Sequence, residues 1–142
     1  MMRKLLGLVL SGCVGIESGP KSPEEAFEWA ELSAPAQLSE LRYTGEKGID
    51  ALVLLQFVLP DAATATRYVA GFGCTPTPIQ RSRDNPFDYK DPGHPEWLVH
   101  EPPPEALACR TQPGAGVRVQ RGVRLDPLPD GRVRVQITAN TL

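Results

Sequence analysis

Residues 51–59, Ala-Leu-Val-Leu-Leu-Gln-Phe-Val-Leu, form the most hydrophobic run of the chain beyond residue 13. The run contains β-branched and aromatic residues and ends at Pro60, which favours a strand over a helix. A continuous apolar run is typical of a strand that is buried on both faces, because a half-exposed strand alternates apolar and polar residues. We therefore expect residues 51–59 to form the central strand of a sheet.

Helix signals lie on both sides of this run in the sequence. Ser22 is a suitable N-cap, and Pro23 suits the first position of a helix that Pro35 would end. Asp61 is a suitable N-cap for a second helix over residues 62–72. Apolar residues recur at helical spacing in both segments, so each helix is expected to pack one face against the sheet.

Further strands complete the predicted sheet. Alternation of apolar and polar residues over 117–125 and 133–137 indicates a hairpin. Residues 39–44 are another candidate strand, and residues 97–100 and 106–110 are candidates for short strands. These elements predict an α+β fold, a two-layer sandwich. An antiparallel sheet of about four to five strands would carry two helices on one face and leave the other face partly solvated.

The N-terminus has the residue order of an export signal. Arg3 and Lys4 precede an apolar run, residues 5–10, which is far shorter than the roughly 20 residues of a membrane-spanning helix. Residues 10–13, Leu-Ser-Gly-Cys, resemble the lipobox of bacterial lipoproteins. That resemblance implies that Cys13 becomes the first residue of the mature chain and carries the lipid. The alternative is an ordinary buried apolar segment with a core cysteine.

The same resemblance implies how the chain is organised and where it resides. It predicts a signal peptide over residues 1–12, a lipidated tether over 13–21 and a single α+β domain over 22–142. Val14 follows Cys13, and a residue other than Asp at this position resembles the pattern for delivery to the outer membrane in a bacterium with two membranes. In a bacterium with one membrane, the protein would be anchored to the outer face of the plasma membrane. Residues 1–12 hold two of the 15 basic residues and none of the 17 acidic ones, so the mature charge is −4. This charge argues against nucleic acid as a partner.

Two cysteines, Cys74 and Cys109, remain once Cys13 is assigned to the lipid. Disulfides persist in exported proteins, so these two residues are predicted to form a structural bridge. A redox pair or a metal site is the alternative. The chain has neither a Cys-x-x-Cys motif nor a cluster of histidines beside either cysteine, which favours the structural bridge.

The polar positions of the C-terminal hairpin are a candidate partner-binding surface. They include four arginines: Arg118, Arg124, Arg132 and Arg134. Arginine suits bidentate recognition of carboxylate or phosphate, and four arginines on one exposed face would attract an acidic protein or an anionic surface. The alternative is an ordinary solvated sheet face, which needs polar residues in any case.

Residues 76–115 hold nine of the 15 prolines and both histidines, so this stretch is expected to be irregular. Some of its side chains are of types that bind divalent cations: Asp84, Asp88, Asp91, His94 and Glu96. Their spacing fits no known metal-binding loop, and neighbouring prolines make them ordinary turn residues. No metal, cofactor or catalytic residue is therefore assigned.

Three functions remain open at this point. A non-enzymatic binding or interaction module of the cell envelope is preferred, because the chain has no phosphate-binding loop, nucleophile elbow or zinc motif. A structural envelope component without a discrete ligand is the second. A hydrolase or metal-dependent enzyme that uses the proline-rich stretch is the third, and a pocket with His94 or His100 beside a carboxylate would favour it.

Overall fold

A computed structural model of the chain describes residues 19–47, 50–88 and 94–141. Within these residues the chain forms two α-helices and six strands. The helices are α1 (Pro23–Trp29) and α2 (Ala62–Ala70). The strands are β1 (Ser39–Lys47), β2 (Ala51–Leu59), β3 (Thr77–Pro78), β4 (Leu107–Thr111), β5 (Val119–Pro127) and β6 (Val133–Thr141).

The six strands form one open sheet in the order β1-β2-β6-β5-β4-β3, and every neighbouring pair is antiparallel. The predicted α+β class is confirmed. The predicted count of four to five strands is too low, because the sheet also includes the two-residue strand β3 at its edge. A pair of residues with the sequence Thr-Pro carries no periodic signal, so this edge was not visible in the sequence.

Strand β2 has the inner position that its apolar run predicts. It pairs with β1 on one side and with β6 on the other, and Val53 through Leu59 are all buried. Val53, Leu55, Phe57 and Leu59 belong to the core beneath the helices, whereas Leu54 packs on the opposite face against Phe87 and Leu98. Both faces of this strand are therefore covered.

Both helices pack on the same face of the sheet, as predicted. Phe27 of α1 and Tyr68 of α2 both pack against Phe57, with their ring centroids 5.7 and 5.9 Å from that of Phe57. Burial raises the pKa of the Tyr68 phenol above its ordinary range, and the hydroxyl donates a hydrogen bond to the carbonyl oxygen of Ser33. Ser22 and Asp61 cap α1 and α2 as expected.

Helix α1 is shorter than predicted, because it ends at Trp29 instead of continuing toward Pro35. Arg121 on β5 donates from Nε to the carbonyl oxygen of Ala30 and from Nη2 to that of Glu31, both at 2.9 Å. A guanidinium that bonds these carbonyls satisfies acceptors that would otherwise need a further helical turn or water. Glu31 also has a φ of +56°, so the chain leaves the helical path there.

The sheet face opposite the helices, which we call the loop face, is more covered than predicted. Part of the proline-rich stretch lies over it, and we call this part the covering segment (residues 82–88 and 94–100). Phe87 and Leu98 of this segment are buried against Leu54. The expectation of a partly solvated second face is therefore wrong where the covering segment packs on the sheet.

A disulfide joins Cys74 to Cys109, as predicted, with their Cα atoms 5.7 Å apart. Cys74 lies four residues beyond Ala70, the last residue of α2, and Cys109 lies in β4. The bridge therefore ties the end of the second helix to the far part of the sheet. It closes a loop of 35 residues in sequence, and this loop includes the whole covering segment.

The predicted signal peptide, Cys13 and residues 13–18 of the tether lie outside the described residues. Among the residues that are described, no helix has both the length and the apolar character needed to cross a membrane.

Removing the disulfide should lower the stability of the domain. We expect the Cys74→Ala/Cys109→Ala variant to lose about 3–4 kcal/mol of unfolding free energy, because the unfolded chain loses a constraint over this loop length. Urea unfolding followed by tryptophan fluorescence measures the change. Wild-type protein treated with a thiol reductant should unfold at the midpoint of the variant, and an unchanged midpoint after reduction would contradict the prediction.

Candidate functional site

The four arginines of the predicted binding surface do not form an exposed row. Arg124 is completely buried, so the expectation that it meets solvent is wrong. Arg118 lies near α1, where its Nε donates to Glu31 at 3.1 Å. Arg132 and Arg134 are partly exposed, and each is paired with a carboxylate. The alternating pattern predicted the correct face of the strand for Arg124, but the covering segment buries that face at this position.

The guanidinium of Arg124 holds the covering segment on the sheet. Its Nε and Nη2 donate to the two carboxylate oxygens of Asp126 at 2.7 and 2.9 Å. Nη1 donates to Asn85 Oδ1 at 3.1 Å and to the carbonyl oxygen of His100 at 2.9 Å, and Nη2 also donates to that of Val99 at 2.9 Å. A guanidinium has five N–H groups, so every donor of this buried cation is used.

Asp126 is the anionic centre of the same network. Besides Arg124, it accepts hydrogen bonds from Nε and Nη2 of Arg134 at 3.2 and 3.0 Å. A buried carboxylate is costly unless it is paired and hydrogen-bonded, and here two arginines satisfy it. Asp126 is completely buried, so it is enclosed as well as fully engaged.

Two glutamines extend the attachment along the loop face. Gln136 accepts from the backbone N–H of Val99 at 2.8 Å and donates to the carbonyl oxygen of the same residue at 2.9 Å. Gln56 donates to Gln136 Oε1 and to the carbonyl oxygen of Trp97. The predicted short strand over residues 97–100 is therefore wrong, because side chains rather than a neighbouring strand satisfy this backbone.

Beyond this attachment, a cavity of about 480 Å³ lies over the loop face. Its floor is formed by residues that pair across neighbouring strands: Leu52, Asn140 and Gln120 in one row, and Thr138, Gly122 and Arg110 in the next. Pro86 and His94 of the covering segment contribute to its wall, and Gln112 and Arg121 also line it. A cavity of this size is in the usual range for small-molecule sites.

Gly122 allows the covering segment to come this close to the sheet. A Cβ atom at this position would lie 2.6 Å from Cβ of Pro86, closer than side-chain atoms approach in proteins. Pro86 is buried, and its neighbour Asn85 is fixed by Arg124, so neither can move without disturbing the network. The floor and the wall of the cavity are therefore held in a fixed relation.

The lining of the cavity includes several polar side chains but no carboxylate among the described residues. It combines amide and hydroxyl groups with the imidazole of His94 and the guanidinium of Arg110. Gln120 Nε2 donates to Asn140 Oδ1 at 3.3 Å, which links two of the amides across adjacent strands. Such a set of donors and acceptors can bind a polar ligand.

The two histidines lie close together, with ring centroids 5.8 Å apart. His94 lines the cavity, whereas Nδ1 of His100 is hydrogen-bonded to the carbonyl oxygen of Phe87 at 3.1 Å. The nearby network contains Asp126, but that carboxylate is enclosed by Arg124 and Arg134. Asp126 is therefore not available to either ring.

Those candidate metal ligands that the structure describes are not brought together into a site. Asp84 accepts from the backbone N–H groups of Gln80 and Arg81, and these hydrogen bonds hold the pKa of its carboxyl below the ordinary value. Asp91 lies outside the described residues. In the part of the chain that the structure describes, no three His, Cys, Asp or Glu residues are placed to hold a metal ion.

A second groove, of about 470 Å³, lies beside α1. Its lining includes Glu25, Glu28 and Trp29, but Lys47 of the protein already lies over the Trp29 ring, with Nζ 4.7 Å from the centroid. An internal cation therefore already occupies the aromatic face of this groove. The cavity on the loop face is the better candidate for a ligand site.

Loss of the buried guanidinium should be far more damaging than loss of an exposed one. We expect Arg124→Met to lower the unfolding free energy by about 3–5 kcal/mol, because it leaves buried acceptors of Asp126, Asn85 and the covering segment unpaired. Arg118→Met is the matched control, since 83% of that side chain is exposed, and it should unfold close to wild type. Urea unfolding measures both variants, and equal midpoints for the two would contradict the assignment.

Comparison of the chain with protein-family models, curated proteins and solved structures found no match. Its function therefore has to be inferred from the geometry described above.

Proposed function

We propose that this protein is a non-enzymatic binding module that a lipid on Cys13 holds at the cell envelope. The observation that supports a binding role is the cavity of about 480 Å³ on the loop face. Strand side chains form its floor, and a segment held by hydrogen bonds from the buried guanidinium of Arg124 contributes to its wall. A site whose lining is held in place before binding loses little conformational entropy when a ligand enters.

The anchor rests on the residue order at the N-terminus. Basic residues, a short apolar run and small residues precede Cys13, as in lipoprotein signals. Five residues lie between Cys13 and Gly19, where the described structure begins, and the six Cα–Cα steps across them span at most about 22 Å when extended. The domain would therefore sit close to the bilayer, on the outer membrane of a two-membrane bacterium or on the outer face of a plasma membrane.

An acidic protein or an anionic surface remains a proposed partner, but the exposed arginines give it limited support. Arg132 donates to Glu40 and to Asp130, and these hydrogen bonds raise the pKa of the guanidinium. Arg118 is paired with Glu31. Because these positive charges have negative neighbours, the field of the proposed row is weaker than the sequence alone suggests, and we place the binding site in the cavity instead.

The two alternative functions have less support from the geometry. A purely structural component does not require a cavity with a fixed lining. A hydrolase or metal-dependent enzyme would use an accessible carboxylate beside His94 or His100, and Asp126 does not supply it, because it is buried and bound to two arginines. A binding module accounts for both the cavity and the enclosed carboxylate.

The anchor can be tested by replacing the lipidated residue. Cys13→Ala should abolish incorporation of labelled palmitate and move the protein out of the processed membrane fraction, because the thioether cannot form. Ser18→Ala is the matched control and should behave as wild type. Wild-type protein that retains Met1 and an unmodified Cys13 in the native host would contradict the anchor.

The binding role can be tested with a photo-crosslinking amino acid placed in living cells. At position 112, on the exposed rim of the cavity, it should give a specific adduct that mass spectrometry detects. At position 66, which is exposed on α2 on the other side of the sheet, it should not. Absence of an adduct at position 112, or an identical adduct pattern at both positions, would count against a binding module that uses this cavity.

A further inference from the structure

The charge distribution around the loop-face cavity indicates which class of ligand it takes. The chain carries 17 acidic and 15 basic residues, yet no described residue that lines this cavity is a carboxylate. Two arginines line it, but the guanidinium of Arg121 is bonded to the carbonyl oxygens of Ala30 and Glu31. No ion pair is seen for Arg110 within the described part of the chain. Arg118, Arg132 and Arg134 differ in this respect, because each already has a carboxylate partner.

The position of Arg110 in the sheet favours access to the cavity. Arg110 is exposed on β4 and pairs in register with Gly122 on β5, which has no side chain. Pro86 of the covering segment packs over Gly122, so Arg110 lies next to the wall of the cavity. The next row supplies neutral polar groups, since Gln120 and Asn140 pair in register and are joined by a hydrogen bond.

These amides can complete the recognition of an anion. The hydrogen bond from Gln120 Nε2 uses Oδ1 of Asn140, which leaves the amide nitrogen of Asn140 as a further donor. The Thr138 hydroxyl can donate as well. A guanidinium that binds an oxyanion in a bidentate manner, with neutral donors beside it, is the usual protein arrangement for carboxylate and phosphate groups.

We propose that the cavity binds the anionic head of a small polar molecule, a carboxylate or a phosphate, with Arg110 as the charged donor. The proposal rests on the proposed function as a binding module and names the ligand class of its site. The cavity volume of about 480 Å³ accommodates a molecule of the size of a sugar phosphate. A soluble metabolite and the headgroup of an anionic lipid share this chemistry.

Calorimetric titration of the full-length protein in nanodiscs of phosphatidylcholine tests the proposal. Glucose 6-phosphate and glucuronate are the anionic probes, and glucose is the neutral one. Both anionic probes should bind at least tenfold more tightly than glucose. In a second arm, the titration is repeated in nanodiscs that contain phosphatidylglycerol. If the lipid headgroup is the ligand, it should compete with the probes and reduce their binding. If the ligand is soluble, binding of the probes should be unchanged.

The charge variants make the test specific for the cavity. Arg110→Gln should weaken binding of the anionic probes, or of phosphatidylglycerol, at least tenfold, because it removes the charged donor. Arg42→Gln removes the same charge from an exposed position on β1, at the other end of the sheet order, and should have little effect. Thermal unfolding of both variants checks that they are folded.

The outcomes separate this proposal from the proposed function. If glucose binds as tightly as the anionic probes, or if Arg110→Gln and Arg42→Gln bind them equally well, the assignment of an anionic ligand is overturned. A cavity-specific crosslink at position 112 would persist in that case, so the binding role would stand without the anionic ligand. Failure of all probes in both kinds of nanodisc would also overturn the assignment.

Discussion

The guanidinium of Arg124 is the constraint on which the arrangement of this protein depends. It is completely buried, its five N–H groups are all bonded, and its partners come from β5 and from the covering segment. Replacing such an ion pair with apolar residues of the same shape can be neutral in stability, whereas removing one partner is costly. The interaction therefore serves mainly to define one position for an irregular segment, and the cavity exists because that position is defined.

Much of the helix-and-strand framework could be predicted from the sequence, because its signals are local. The apolar run at residues 51–59 indicated an inner strand, the caps at Ser22 and Asp61 indicated two helices, and the count of cysteines indicated the disulfide. The end of α1 was not predictable in the same way. It depends on Arg121, which is 90 residues or more away in sequence and reaches the carbonyl oxygens of Ala30 and Glu31.

The candidate site was less predictable, because the alternating pattern identifies the faces of a strand without saying what covers them. Arg124 was placed on the correct face and assigned to solvent, since nothing local shows that a proline-rich stretch returns to this face. One signal was available in Gln56, the only polar residue of the run at 51–59. A glutamine in a strand buried on both faces must find hydrogen-bond partners, and here it finds Gln136 and the carbonyl oxygen of Trp97.

The way in which the sheet holds the covering segment has a consequence for the composition of that segment. The side chains of Arg124, Gln56 and Gln136 donate hydrogen bonds to the carbonyl oxygens of residues 97, 99 and 100. In this network they accept a hydrogen bond from only one backbone N–H, that of Val99. Proline lacks the N–H and retains the carbonyl, so it is compatible with attachment through acceptors and incompatible with a β-ladder. A sheet that binds the covering segment through carbonyl oxygens can therefore accept additional prolines in that segment, provided that the spacing of these acceptors and the buried side chains of Asn85, Phe87 and Leu98 are kept.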